Sequence, residues 1–357
     1  MIKGKIRVAI VGTGRISDLH AIEYMQNQDA EIIALCDTNI DLAISRAKKW
    51  GCDKDVEIVD DLDKILKNEN IDMVELLLPH HMHFSAALKS IEAGKIISLQ
   101  KPMCLNLEEA DKLVEVVSKY DKPFKLFENF IFHPPVIKAK KLIDEGAIGR
   151  PLSIRIKSNF GIGDEAWNVP KYARTWRRQT DKSGGGPAVF DDGHHKFALA
   201  WYFMGNPDKV HAFIGNTIDH NNEWMDAQSQ ISFHFPENRI GNLEIVYSPN
   251  LKISGKYYAQ DDRVEVTGTH GVLWINCGHG HIGNFSPVIV YRDGKITEYR
   301  DMNIGWEQSF ILSTRHFIKV LKNGGDPILT VKEGRDILKF SSAAEESARR
   351  NKTIELK

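Results

Sequence analysis

The chain has 357 residues, about 2.4 times the roughly 150 of an ordinary domain, so two domains are expected rather than one large core. Lysine and arginine number 47 against 48 aspartates and glutamates, and this near-neutral balance supplies no net field for a polyanion, which argues against nucleic acid or an anionic membrane surface as partner. With 42% apolar and 27% charged residues the composition excludes dominant disorder, and Cys36, Cys52, Cys104 and Cys277 show neither disulfide nor zinc spacing. No apolar run approaches the roughly 18 residues of a membrane helix, and the first residues read as a strand rather than a leader, so a reducing cytoplasm is the expected location.

From residue 5 to about 123, short apolar runs alternate with amphipathic stretches: KIRVAIVG, a helix near 16–28, EIIALCD, a helix near 40–50, MVELLLP, a helix near 82–93, KIISLQKP, and the helix LEEADKLVEVVSKY. This β-α-β-α rhythm, with nearly continuous apolar strands, predicts a doubly wound parallel sheet covered on both faces. Past Lys125 the pattern changes to a helix near 134–145 followed by long alternating segments. ISFHFPENRIGNLEIVYSP reads as a hairpin turning at Asn238, VEVTGTHGVLWI as a strand pair, and VIVYRDGKITEYRD as a hairpin turning at Asp293-Gly294. Helical spacing returns between about 307 and 349. The expected fold class is therefore α/β: a dinucleotide-type domain over 1–123 and an α+β domain over 124–357 with a large, mostly antiparallel open sheet and C-terminal helices.

The string VAIVGTGRIS places Gly12, Gly14 and Ser17 at the three positions of G-x-G-x-x-G/A. Gly12 permits the tight turn, Gly14 lets backbone approach a pyrophosphate, and Ser17 is small enough for helix–strand packing, while the following helix aims its first amides at negative charge. Asp37, 23 positions after Gly14, ends the second strand, where a carboxylate accepts from a ribose and repels a 2′-phosphate. NAD is therefore the expected cofactor. Arg15 and Ile16 belong to the same turn.

Oxidising an alcohol by hydride transfer needs a group to take the hydroxyl proton and a donor to steady the developing alkoxide. SLQKP puts Lys101 at the C-terminal end of a strand, the ligand edge of an open α/β sheet. SGGGPAVFDDGHH sets Asp191 and His195 one helical turn apart, after Gly184–Gly186.

Taken together, VGTGRIS, Asp37, PHHMH, GKIISLQKP, GGG with D-x-G-x-H, ENFIFHPPVIKAKKLIDEGAIGRP, VTGTHGVLWI and ESARRNKTIEL resemble the Gfo/Idh/MocA oxidoreductases, the family of glucose-fructose oxidoreductase and inositol 2-dehydrogenase. The resemblance implies a Rossmann domain, a C-terminal α/β domain often used for oligomerisation, and a nicotinamide cofactor in the cleft between them. It implies that Lys101, Asp191 and His195 face the substrate, with His195 as base, Asp191 orienting it or the substrate, and Lys101 donating to the reacting oxygen; family members differ on whether lysine or histidine is the base. It also sets Pro79 and His83 beside the nicotinamide. Gln100 replaces the glutamate of the family's E-K-P motif, and with Lys101 it completes the expected cofactor contacts. Loss of that carboxylate would let the pKa of a buried Lys101 drift down.

His80, His81, His83, His279 and His281 lack acidic or cysteine companions at metal spacing, so no metal is expected. The segment 159–178, with Trp167, Tyr172, Arg174, Trp176, Arg177 and Arg178, is the expected source of specificity, since flat aromatic faces suit a pyranose or cyclitol and arginines suit a carboxylate or phosphate. Asn129 and His133 are further substrate candidates. The expected reaction is the NAD-dependent interconversion of a secondary hydroxyl and a ketone on a sugar, cyclitol or glycoside by a homodimer or homotetramer. The rival readings are a glycosidase that oxidises its sugar transiently on retained NAD, and a non-catalytic NAD-binding sensor, against which the intact Lys101, Asp191 and His195 speak.

Overall fold

Residues 8–11 are almost wholly buried, as a strand must be when helices cover both faces of a parallel sheet, and they form the core of β1 (Ile6–Val11). In the computed structural model, which describes residues 2–167 and 169–356, β1 is joined by β2 (Ala30–Cys36), β3 (Glu57–Val59), β4 (Met73–Leu76), β5 (Ile96–Gln100) and β6 (Phe124–Phe127). All six run parallel in the order β3-β2-β1-β4-β5-β6, so the order reverses between β1 and β4, where doubly wound sheets bind ligands. The connecting helices are α1 (Ser17–Gln26), α2 (Ile40–Trp50), α3 (Leu62–Lys67), α4 (His80–Glu92) and α5 (Leu107–Val117). β3 and α3 were absent from the sequence reading because the strand is three residues long and buries only Val59.

Two compact units emerge: one joins the residues up to Asn129 with Ser309–Arg335, the other joins Phe130–Gln308 with the residues from Asp336 on. The boundary expected at residue 123 precedes β6, which pairs with β5 from Ile97↔Phe124 to Gln100↔Phe127 and completes the first sheet. The helix Glu307–Asn323 also lends most of its length to the first unit, where Phe317, Ile318, Val320 and Leu321 join the core of Ile6, Val8 and Ile32. Arg315 clamps it to Glu23 of α1 through two bonds of 2.8 Å.

The second unit is built on nine strands: β7 (Pro151–Ile162), β8 (Lys209–Ile214), β11 (Ser229–Phe235), β12 (Arg239–Lys252), β13 (Gln260–Gly268), β14 (Gly271–Ile275), β15 (Val288–Arg292), β16 (Lys295–Tyr299) and β17 (Ile354–Glu355); a separate two-stranded ribbon holds β9 (Thr217–Ile218) and β10 (Trp224–Met225). The order is β16-β15-β14-β13-β7-β12-β11-β8-β17, antiparallel throughout except for β7 and β12. Positive φ at Glu237 and Asn238 (64° and 56°) and at Asp293 and Gly294 (50° and 78°) gives both hairpins the primed turns that match strand twist. Its helices are α6 (Pro134–Asp144), α7 (Lys171–Arg177), α8 (Thr180–Ser183), α9 (Gly193–Met204) and most of α11 (Val331–Arg350), with Glu307–Asn323 as α10. Nearly every side chain of α9 is buried; Phe197 meets Phe340 at 4.9 Å and Phe233 at 6.0 Å, so the helix that carries His195 is fixed in a packed core. No helix of the described residues is long and apolar enough to cross a membrane.

Candidate active site

In the first unit the chain leaves β1 through Gly12 at φ 94°, where a Cβ would run into the carbonyl of Leu77 just past β4. A Cβ on Gly14 would meet nothing within 4 Å, so the backbone there is open to a bound group. The buried Ser17 hydroxyl donates to the Gly14 carbonyl at 2.5 Å and closes the turn into α1. Arg15 and Ile16 lie half-exposed at the mouth of that helix. Asp37 is anchored from three sides: Oδ2 accepts from Thr13 N at 2.8 Å and Thr13 Oγ1 at 2.9 Å, and Oδ1 accepts from Asn39 N at 2.9 Å. A carboxylate offers about four lone-pair sites, so acceptor capacity remains for a ribose. The turn, the open Gly14 and the anchored acid fit an adenine dinucleotide.

At the same sheet edge Pro79 caps α4, and His83 three residues into the helix is fully buried. Its Nδ1 faces the Pro102 carbonyl at 2.7 Å and its Nε2 the Leu78 carbonyl at 2.8 Å. Burial, with His80 nearby, pushes its pKa down to about 3, so the ring is neutral and donates to one carbonyl at a time. The imidazole thus ties the loop after β4 to the loop after β5 and would act on a cofactor by holding those loops. Gln100 ends β5 and Lys101 follows it, both half-buried.

In the second unit the triple glycine makes room for acids. A Cβ on Gly186 would collide with the Asp226 carboxylate, which accepts from Ala188 N at 2.7 Å and Val189 N at 2.8 Å. Glu345 Oε1 accepts from Gly186 N at 3.0 Å. With those amides taken, the next turn is wider than the α-helical turn expected from D-x-x-x-H: Pro187–Asp192 is π-helical, with Asp191 N bonded to Gly186 O at 3.0 Å. Asp191 and His195 are 8% and 7% exposed. Arg177 Nε reaches Asp191 Oδ2 at 3.2 Å, and the His195 ring stacks on Phe130 at 4.5 Å.

Around these residues stands a wall that the sequence reading missed. His279 lies 6.3 Å from His195 between ring centroids and packs on Trp306 at 4.6 Å, Phe130 at 5.0 Å and Tyr258 at 5.2 Å. Its Nδ1 meets Asp262 Oδ2 at 3.1 Å, and its Nε2 bonds to nothing among the described residues. Asp262 is also 3.3 Å from the buried Lys196 ammonium and accepts from Ser158 at 2.7 Å. Burial opposes its charge, but Lys196 and His279 hold its carboxyl well below the usual range. Trp167 extends the wall through Tyr257 at 4.8 Å. His279 was visible only as half of an H-G-H pair, since its partners Phe130, Tyr258, Asp262 and Trp306 are distant in the chain.

The remaining candidates, Tyr172 apart, have partners within their own units. Tyr172 on α7 is 66% exposed. Arg174 pairs with Glu223 at 3.0 Å and Arg178 with Asp219 at 2.6 Å, so these two arginines of the cluster expected to take a substrate carboxylate are matched by acids 49 and 41 residues away. The Arg177 guanidinium covers the Trp176 ring at 4.3 Å. Asn129 is buried and donates to Ser309 Oγ at 2.8 Å, and His133 is buried with Nε2 at 3.1 Å from the Ile304 carbonyl. Asn168, inside the expected specificity segment, lies outside the described residues. Among the described residues no group of three or more His, Cys, Asp or Glu could hold a metal ion.

Residues 6–127 match the family model described as an oxidoreductase family with an NAD-binding Rossmann fold, and residues 136–274 match the Gfo/Idh/MocA C-terminal domain. A myo-inositol 2-dehydrogenase from Thermotoga maritima is 23% identical over 98% of both chains. A scyllo-inositol 2-dehydrogenase (NAD(+)) from Bacillus subtilis is 24% identical over 99% of this chain and 96% of its own. Among solved structures, a levoglucosan dehydrogenase in complex with NADH and levoglucosan superposes with a TM-score of 0.82 at 22% identity, covering 98% of this chain and 99% of the other.

Proposed function

The chain belongs to the Gfo/Idh/MocA oxidoreductases, and on that premise we propose that it interconverts a secondary hydroxyl and a ketone on a ring-shaped polyol: a sugar, a cyclitol or a glycoside. The observation that carries the reading is the wall in the second unit, where Asp191 and His195 stand with His279 among Phe130, Tyr258 and Trp306. Aromatic faces take up the apolar face of such a ring while a few polar groups fix its hydroxyls. NAD, when bound, accepts the hydride. Gly12, Gly14 and Asp37 would hold it, and the charge of Asp37, which would accept from a ribose hydroxyl and repel a 2′-phosphate, favours it over NADP. His195 takes the hydroxyl proton as the carbon gives up hydride, Asp191 orients the substrate, and Lys101 donates to the oxygen on which charge develops.

His279 offers Nε2 to a second hydroxyl of the same ring. With Arg174 and Arg178 matched by Glu223 and Asp219, a neutral ring is favoured over a sugar acid. The outward face of the large sheet exposes Phe213 on β8 (63%), Ile240 on β12 (57%) and Ile296 on β16 (67%), which supports a second copy of this chain as occupant of that face and predicts a dimer or tetramer by light scattering.

A panel of cyclic polyols with NAD tests the reading. At least one member should generate NADH, and Lys101→Ala and His195→Ala should each lower turnover by roughly 10²- to 10⁴-fold, the usual scale for loss of a proton-transfer group. Cleavage of a glycoside with no net NADH would replace simple dehydrogenation by transient oxidation, and firm NAD binding with a silent panel would count against both.

A further inference from the structure

Glu75 is a carboxylate in the middle of β4, in register with Ile10 on one side and Ser98 on the other, and it is wholly buried between Val74 and Leu76, which are equally buried. An ionised group in such a place is costly unless every lone pair is met. Here Ser98 Oγ donates to Oε1 at 3.0 Å, Tyr24 OH donates to Oε2 at 2.6 Å, and His20 Nδ1 lies 2.8 Å from Oε1. His20, also wholly buried, turns its other nitrogen to the Gln100 amide, 3.0 Å away. Gln100 Oε1 accepts from the backbone N–H of Lys101 at 2.8 Å.

The proton positions along this chain follow from donor and acceptor logic. Since Gln100 Oε1 takes the Lys101 amide, Gln100 Nε2 must be the donor to His20 Nε2. His20 therefore carries its proton on Nδ1 and gives it to an ionised Glu75. Burial lowers the His20 pKa and keeps the ring neutral. The charged and titratable groups that act on the pair are Lys125 of β6 and Tyr24 of α1, with Glu23 beyond Tyr24, while Phe127 and Phe310 cover the imidazole.

We propose that Glu75, acting through His20 and Gln100, is a positioning residue for Lys101. Where E-K-P would set a carboxylate directly before the lysine, this chain has Gln100 and a carboxylate one imidazole away, on the adjacent strand β4. The catalytic part of this inference rests on the reading of Lys101 given above; the proton positions do not.

Nitrogen NMR of the histidine rings in the NAD-loaded protein tests the chain. Wild-type His20 should be neutral with its proton on Nδ1. Gln100→Glu should leave the ring between two carboxylates and convert it to imidazolium. Glu75→Gln combined with Gln100→Glu should return it to neutral with the proton moved to Nε2. Glu75→Gln alone should speed hydrogen exchange of the Lys101 amide about tenfold, a readout that needs no substrate. It should also lower kcat about tenfold, ~1.4 kcal/mol of barrier, with KM and NAD affinity little changed, and the double variant should recover both. A proton on Nε2 in the wild type, or a Lys101 amide and kcat indifferent to Glu75→Gln, would overturn the inference. A wild type that oxidises no polyol would overturn the proposed function while the exchange and tautomer results still decide this one.

Discussion

His279 Nδ1 and Asp262 Oδ2 meet at 3.1 Å inside the second unit, and the same carboxylate, 3.3 Å from the buried Lys196 ammonium, shares that charge with Asp192 at 2.7 Å. Because the folded carboxyl lies below its unfolded value, its contribution to stability is complete above about pH 4, the ordinary carboxylate range, and is lost as pH falls through that range towards the folded value. Asp262→Asn should lower the melting temperature at neutral pH by on the order of 10 °C, since breaking a buried ion pair costs about 3–5 kcal/mol. The gap between variant and wild type should narrow below pH 4. Equal melting at pH 7 would show that Asp192 alone satisfies Lys196.

His279 itself is expected to act on the ring and not on the reacting carbon. His279→Ala should raise KM for the preferred polyol about tenfold, ~1.4 kcal/mol for one hydrogen bond and its packing on Trp306, while NAD affinity stays unchanged. Removing the neighbouring hydroxyl from the substrate should cost the wild type a similar factor and the variant little. Independent, additive losses would place that hydroxyl elsewhere.

Asp37 is held by Thr13 and Asn39, so its removal disturbs both the ribose contact and the turn that presents Gly14. Asp37→Ala should weaken NAD by roughly 10- to 100-fold, on the scale of one or two hydrogen bonds to a charged acceptor, and should narrow the preference over NADP. Titration of protein fluorescence with the two cofactors measures both. An unchanged ratio would mean that repulsion from Asp37 does not set the preference.

Where a feature is made by neighbours in the chain, it was legible. The glycine turn, Asp37 and the two hairpins depend on spacings of a few residues and local φ, and all are found where the sequence puts them. What was not legible is non-local. No spacing announces that α10 returns across some 180 residues to place Ser309 against Asn129 and Ser313 against Lys125. The acids that match Arg174 and Arg178 come from the ribbon of β9 and β10, and His279 finds Asp262 only through the register of the large sheet. Nothing in MVELLLP singles out Glu75, because its three donors come from α1 and β5.

Glu345 offers the opposite pH dependence to Asp262. Burial, opposed by its bond from Gly186 N and reinforced by the charge of Asp226, pushes its pKa up to about 7. A carboxyl raised in the folded state favours folding most below the unfolded carboxylate range, and that contribution is lost as pH rises from about 4.5 to 7. The wild type should therefore lose melting temperature across this window. Glu345→Gln keeps an acceptor for the Gly186 amide and has no charge to bury, so it should melt at a nearly constant temperature and surpass the wild type above pH 7. Gly186 also opens the turn that carries Asp191, so a slope that survives in Glu345→Gln would shift the titration to Asp226, whose carboxyl is likewise raised by burial beneath the same turn.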